Sequence, residues 1–325
     1  MIRRFLSLFE PFILMLLGTV LLASILPARG AGATIVGVIA DIGIVLLFFL
    51  HGAKLSREAL WDGARNWRLH LAVLAVTFVV FPLLGLGLSH LVAGPVAAGI
   101  LFLTLLPSTV QSSIAFTAIA RGNVAAAVCS ASFSNLLGIV VTPLLVAWLM
   151  GAAGSISFAS VEAIVLQLLV PFVGGHLLRP WIGEWVARRK EMLTAVDRGS
   201  ILLVVYSAFG AAVVEGLWHR LSPGDLGIVT LVCVVLLAVV LLVTFGLGRA
   251  MGLTREDAIV LQFCGSKKSL ASGVPMAGVL FAPAQVGVVL LPVMLFHQIQ
   301  LIACAVIARR HAERPEEPPA TSLSL

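Results

Sequence analysis

Charge is scarce in this 325-residue chain: 11% of its residues are Asp, Glu, Lys or Arg, less than half the roughly 25% of a soluble globular protein. With 60% hydrophobic residues and a mean hydropathy of +1.10, a soluble domain is excluded and a polytopic membrane protein is left. Cysteine is sparse as well. Cys129, Cys233, Cys264 and Cys304 all fall in apolar stretches without a CxxC pair, which argues against a zinc site or a disulfide framework. Enzyme signatures are missing: there is no nucleotide-binding glycine motif, no HExxH and no His, Asp and Ser set that spacing alone would bring together. A serine–lysine dyad on Lys268 would have to use Ser266 or Ser269, near neighbours in sequence with poor helical geometry, so no enzyme is expected. The isoelectric point near 9.7 could suggest nucleic acid. The basic residues flank apolar stretches, however, where they orient a chain in a membrane, and no nucleic-acid partner is expected.

A bilayer-spanning helix needs about 20 apolar residues. Ten stretches qualify, near 9–28, 33–52, 69–91, 95–119, 123–150, 158–178, 200–218, 225–248, 254–281 and 285–308. The first could imitate a signal peptide, but nothing after it resembles a soluble mature protein, so it reads as span 1. Two amphipathic stretches, Ser56 to Trp67 and Pro180 to Val196, read as short interfacial helices. With a cytoplasmic N-terminus, 17 of the 21 Lys and Arg lie inside, 2 (Arg29 and Arg220) outside and 2 within the membrane. That asymmetry predicts ten spans with both termini cytoplasmic, in a bacterial inner membrane. Residues 1–155 and 156–310 then hold five spans each, ahead of a tail at 311–325. An odd number makes the second half enter from the opposite side, the inverted-repeat plan of many transporters.

Two spans carry polar interruptions. In span 4, Pro107 removes a backbone donor and is followed by Ser108, Thr109, Gln111, Ser112 and Ser113. In span 9, Thr254 and Asp257 make a capping-box-like start, and the apolar run stops at Gly265, Ser266, Lys267, Lys268 and Ser269. At 1.5 Å per residue the pieces on either side cover about 16 and 20 Å, which puts the break near the midplane. Two ammonium groups there would cost about 2.5–3.5 kcal/mol each on insertion scales. A simple kink at Pro107 with the lysines in a short loop is the plainer alternative, but it would spoil the charge asymmetry. Each break is the fourth helix of its half. The two are therefore expected to meet, with half-helix ends and freed carbonyls facing each other, as in ion and substrate sites of secondary transporters. Nearby, Gln262, His297, Gln298 and Gln300 could line a cavity. Asp41 reads either as a counter-ion for the lysines or a cation ligand, or as an outer-interface residue; Glu162 and Glu215 read as interfacial, and His51 as structural.

With these segments placed, the chain resembles the bile acid:sodium symporter superfamily, and within it the SBF-like branch. The likeness is carried by Phe48 to Ser56, Pro107 to Ser113, Ala120 to Ala125 with Ser130 to Asn135 and Thr142 and Pro143, and Cys264 to Gly273. It implies a core domain of spans 3–5 and 8–10 moving against a panel of spans 1, 2, 6 and 7, with discontinuous helices 4 and 9 crossing. It also implies sodium sites built from hydroxyl and amide oxygens on helices 4 and 5, with an acidic residue and amides on helix 9. Carried onto this chain, Ser112, Ser113, Ser130 and Ser134 are the expected sodium ligands, joined by Asn135. Ser130 and Ser134 are one turn apart, and Ser132 faces elsewhere. Helix 9 departs from the pattern, with Lys267 and Lys268 where an acid and amides are implied. A close sodium ion would be repelled. A tethered ammonium from either lysine, held by half-helix carbonyls, could stand in for it or exchange protons during transport.

The function expected is secondary active transport of a small organic anion through a cavity at the crossing, in a lipid bilayer. No cofactor is expected beyond sodium or protons as coupling ions. The candidate binding set is Ser108, Thr109, Gln111, Ser112, Ser113, Ser130, Ser134, Asn135, Gln262, Ser266, Lys267, Lys268, Ser269 and His297. A non-transporting membrane regulator or sensor that kept the fold is the alternative. No oligomeric state follows from the sequence.

Overall fold

The computed structural model describes residues 11–54, 66–92, 95–151, 165–220 and 222–313. Every regular element among them is helical, the arrangement that lets apolar sequence satisfy its own backbone where water is absent. In order these are α1 (Pro11–Ile25), α2 (Ala31–Lys54), α3 (Trp67–Ala75), a π-helical turn (Val76–Val80), α4 (Phe81–Ser89), α5 (Pro95–Leu105), α6 (Gln111–Ile119) and α7 (Val124–Gly151). A second π turn (Val165–Leu169) leads into α8 (Val170–Arg188), then α9 (Lys190–Val214), α10 (Leu217–Arg220), α11 (Pro223–Ala250), α12 (Arg255–Gly265), α13 (Leu270–Leu280) and α14 (Pro283–Glu313). Among the described residues, six helical stretches are long and apolar enough to cross a membrane: Ala31–Ala53, Trp67–Ser89, Val124–Met150, Glu191–Val214, Pro223–Ala250 and Pro283–Glu313. Leu14–Ile25 and Val96–Leu105 are shorter apolar helices. Both expected interruptions are present, between α5 and α6 and between α12 and α13.

Local chemistry sets the helix ends. Ser222 and Asp225 form a reciprocal capping box with Pro223 at the first helical position of α11, where a missing N–H costs nothing. Thr254 caps α12 by accepting from the Asp257 N–H. The C-termini of α6 and α11 close with the same pair of bonds: Gly122 N–H to the Thr117 carbonyl with Arg121 N–H to Ala118, and Leu253 N–H to Gly248 with Gly252 N–H to Arg249. This closure puts one residue in the left-handed region. Gly252 supplies it at φ 62°, and Arg121 does so at φ 58° although it carries a Cβ.

Some expectations are corrected. Pro180 to Val196 is not a separate interfacial helix: α8 runs on through Pro180 to Arg188, turns at Arg189, and α9 starts at Lys190. Span 7 therefore begins about a decade of residues earlier than its apolar run, because Glu191, Asp197 and Arg198 sit on its first turns without ending it. Asp41 is exposed on α2, so it is no counter-ion for lysines that are buried. Glu215 is exposed at the end of α9, as its interfacial reading requires. Glu162 and all of Ser56 to Trp67 except Asn66 and Trp67 lie outside the described residues.

Helix α2 packs along α8 and α9, α9 also along α1, α13 and α14, and α5 along α4 and α14. The α2–α8 seam is a backbone contact. A Cβ on Gly52 would run into the Phe172 carbonyl, and one on Gly175 into the Phe49 carbonyl. Gly18 on α1, by contrast, has open space around it. Gly52→Ala or Gly175→Ala should therefore lower the thermal unfolding midpoint of detergent-purified protein, by the equivalent of about 1–3 kcal/mol of overpacking. Gly18→Ala should leave it unchanged or raise it, since alanine favours a helix over glycine.

Candidate functional site

A helix that stops inside a protein leaves its last carbonyls without intrahelical donors, and α5 stops at full burial. Each carbonyl from Thr104 to Ser108 has found another donor. Thr104 and Leu106 accept from Lys268 Nζ at 2.7 Å each, and Leu105 from Thr142 Oγ1 at 2.7 Å. Pro107 accepts from the Ser269 N–H at 2.8 Å, and Ser108 from Asn135 Nδ2 at 2.7 Å. Ser130, Ser134, Gly138 and Thr142 recur every four residues along one face of α7, which is pressed on this break. Ser134 Oγ accepts the Ser108 N–H at 2.9 Å, and a Cβ on Gly138 would lie 2.6 Å from Pro107 Cβ.

The third acceptor of Lys268 Nζ is the Thr77 carbonyl, at 2.8 Å. It is free for a reason visible in the chain. In the π turn the Phe81 N–H goes to Val76, skipping the carbonyl four residues back, and Pro82 has no N–H for the one five residues back. Thr77 is thus left with a lone carbonyl in a dry interior. Lys268 Nζ fills that vacancy and lies 4.1 Å from the Phe81 ring centroid.

The break between α12 and α13 is satisfied from the other side. The Phe263 carbonyl accepts from Ser113 Oγ at 3.1 Å and the Cys264 carbonyl from Ser108 Oγ, while Ser266 turns back onto its own helix at Gln262. Gln300 on α14 clasps the Lys268 peptide: its Oε1 accepts the Lys268 N–H at 2.8 Å and its Nε2 donates to the Lys268 carbonyl at 2.9 Å. Nε2 also reaches His297 Nδ1 at 2.9 Å, which makes Nδ1 the acceptor. Ser269 caps α13 by accepting the Ser272 N–H, and Ser272 Oγ donates to Asn135 Oδ1 at 2.7 Å. Each break is thereby held by a carboxamide from the helix that follows the broken pair, Asn135 on α7 for the first and Gln300 on α14 for the second.

Lys267 differs from Lys268. Both side chains are at most 1% exposed, yet Lys267 Nζ has no hydrogen-bond partner among the described residues. It lies over the Phe116 and Phe263 rings, 4.1 and 5.3 Å from their centroids, a cation–π arrangement.

Of the expected site residues, Ser108, Thr109, Ser112, Ser113, Ser134, Asn135, Lys268, Ser269 and His297 join this hydrogen-bonded node, and Lys267 adjoins it. Ser112 donates to Thr109 and Thr109 pairs with Ser113. Gln111 stands exposed at the start of α6, in line with exposed Ala115 and Ala118. Gln262 points away, its Oε1 2.9 Å from His311 Nε2. Ser130 pairs with His70 Nδ1 at 2.7 Å, a buried histidine that the sequence pattern did not single out. Also unforeseen is the clamp at the start of α12, where Asp257 accepts from Asn66 Nδ2 at 2.7 Å and from Asn123 Nδ2 at 3.0 Å.

The residues implied as sodium ligands are each hydrogen-bonded within the protein: Ser112 donates to Thr109, Ser113 donates to the Phe263 carbonyl, Ser134 accepts the Ser108 N–H and Ser130 pairs with His70. No carboxylate is among the buried residues described.

Apolar helices of membrane-crossing length around a buried node of two helix breaks define an integral membrane protein of the transporter class. Sequence comparison agrees: the SBF-like CPA transporter family matches residues 10–313, and the chain belongs to that family. It is 57% identical over 314 residues to the "Uncharacterized protein PA2026" of Pseudomonas aeruginosa, covering 95% of this chain and 94% of that one. It is 51% identical over 315 residues to the "Putative symporter YfeH" of Escherichia coli, with coverage of 95% and 94%. To the sodium/bile acid cotransporter 7 of Xenopus tropicalis it is 28% identical over 274 residues, 82% of this chain and 80% of the other.

Replacing Gln300 with Leu would strand both the N–H and the carbonyl of Lys268 in a buried site, at about 1–3 kcal/mol for each group. A marked drop in thermal midpoint is expected for Gln300→Leu, and a similar one for Asn135→Leu. Wild-type stability in either variant would mean that water or a rearranged partner replaces the carboxamide.

Proposed function

We propose that the chain is a secondary active transporter of a small organic anion, built as ten spans in two inverted five-helix repeats, residues 1–155 and 156–310. The observation that carries this reading is the meeting of two interrupted helices at one buried polar node, in a chain of a transporter family. Half-helix ends of this kind form solute sites in secondary transporters. In this reading α1, α2, α8 and α9 are the panel, and α3–α7 with α11–α14 are the core that moves against it. The packing of α2 on α8 and of α1 on α9 supports the grouping.

An anion is favoured by the interior charge. Two lysines are buried while no Asp or Glu is among the buried residues described, and α6 and α13 begin at the node with the positive ends of their dipoles. The exposed stripe Gln111, Ala115 and Ala118 on α6 lines the pathway. With 17 of 21 basic residues on the N-terminal side of the membrane, both termini are cytoplasmic in a bacterial inner membrane, and the stripe lies in the cytoplasmic half. Sodium is not required in this scheme, because Lys267 and Lys268 stand in the second break with no buried carboxylate among the described residues to hold a further cation; protons or a counter-substrate drive the cycle.

Proteoliposomes of the purified protein, tested with a panel of organic anions from dicarboxylates to amphipathic carboxylates, should take up at least one member faster than empty vesicles. An imposed proton gradient or internal counter-anion should accelerate uptake, and an imposed sodium gradient should not. Absence of flux under every gradient would overturn the carrier reading, and saturable binding without flux would replace it with that of a sensor.

A further inference from the structure

Lys268 Nζ is surrounded by three backbone oxygens, those of Thr77, Thr104 and Leu106, at 2.7–2.8 Å. All three can only accept. A neutral amine offers two N–H donors and a lone pair, which would face the third oxygen; an ammonium offers three donors and no lone pair. The contacts also have the lengths of charge-assisted bonds, and the Phe81 face closes a further side.

The oxygens do not owe their position to the lysine. Thr77 is freed by the π turn and Pro82, and Thr104 and Leu106 by the end of α5, where the helix dipole is negative. Backbone carbonyls converging on a point in this way replace the hydration shell of a small monovalent cation. We infer that Lys268 is a covalently tethered ammonium ion that permanently fills a monovalent-cation site formed by the Thr77, Thr104 and Leu106 carbonyls, and that shortening the side chain opens this site to a free small cation. The site is separate from the hydroxyls of Ser112, Ser113, Ser130 and Ser134. It is independent of the solute the protein moves, so it stands or falls apart from the transport reading.

The test is thermal unfolding of the purified protein in detergent, with no flux measured. The wild-type midpoint, read in sodium chloride and in choline chloride at equal ionic strength, is the reference for each variant. Lys268→Ala should unfold at a lower temperature and regain part of the loss, saturably, on addition of methylammonium, ammonium or sodium chloride but not choline chloride. Lys268→Met, whose side chain still fills the space, should be destabilised and not rescued. The inference is overturned by a Lys268→Ala midpoint equal to wild type, or by a destabilised Lys268→Ala that no small cation rescues. Should Lys268→Ala fail to fold, 15N-lysine labelling of Lys267→Met decides. That variant keeps three of the chain's four lysines, and it should still give an ammonium signal protected from solvent exchange; a spectrum without such a signal would overturn the inference.

Discussion

A backbone carbonyl shut away from both water and helix has to find a donor inside the protein, and the middle of this molecule is organised by that requirement. Breaking α5 from α6 frees the carbonyls from Thr104 to Ser108, and breaking α12 from α13 frees Phe263 and Cys264. The donors that answer them come from the opposite break and from α7. Ser108 and Ser113 serve the second break, while Lys268 and Ser269 serve the first. Neither interruption could stay dry without the other, so the two are one structural unit although about 150 residues separate them in sequence.

Much of this was legible in the sequence. Pro107 with its hydroxyl cluster, and two lysines in apolar surroundings, located both breaks and predicted that they meet. Helix periodicity singled out Ser130 and Ser134 correctly as neighbours, since they lie on one face of α7. Their partners were harder to read. That Ser130 would face His70 depends on the approach of α3, and no local pattern encodes it. Gln300 was visible as a polar residue on an apolar helix, but its grip on a peptide group 32 residues away is a tertiary fact. The Thr77 carbonyl had a signal that went unused: a proline five residues downstream, which cannot return the bond a π turn asks for. The start of α9 was misplaced because charged residues there looked interfacial, whereas the helix simply continues past them.

The two lysines illustrate how adjacent, identical side chains acquire different chemistry. Lys268 reaches a nest of three oxygens made by two segments, the π turn and the end of α5, and is held by them. Lys267, one residue earlier, turns toward the Phe116 and Phe263 rings and has no hydrogen-bond partner among the described residues. Its attraction to them is worth on the order of 0.5–2 kcal/mol, less than the hydrogen bonds its neighbour makes. Of the pair, Lys267 has less holding it in place when the surrounding helices shift.

The glycine seam between α2 and α8 has a consequence for heredity as well as for packing. Gly52 faces the carbonyl of Phe172 and Gly175 that of Phe49, so no side chain lies between the two backbones to be traded for another as the sequence drifts. The neighbouring contacts can be exchanged one residue at a time, with a larger group on one helix offset by a smaller one on the other. Here no such exchange exists, and the two positions behave as a weld that lineages must inherit intact or abandon together with the crossing itself.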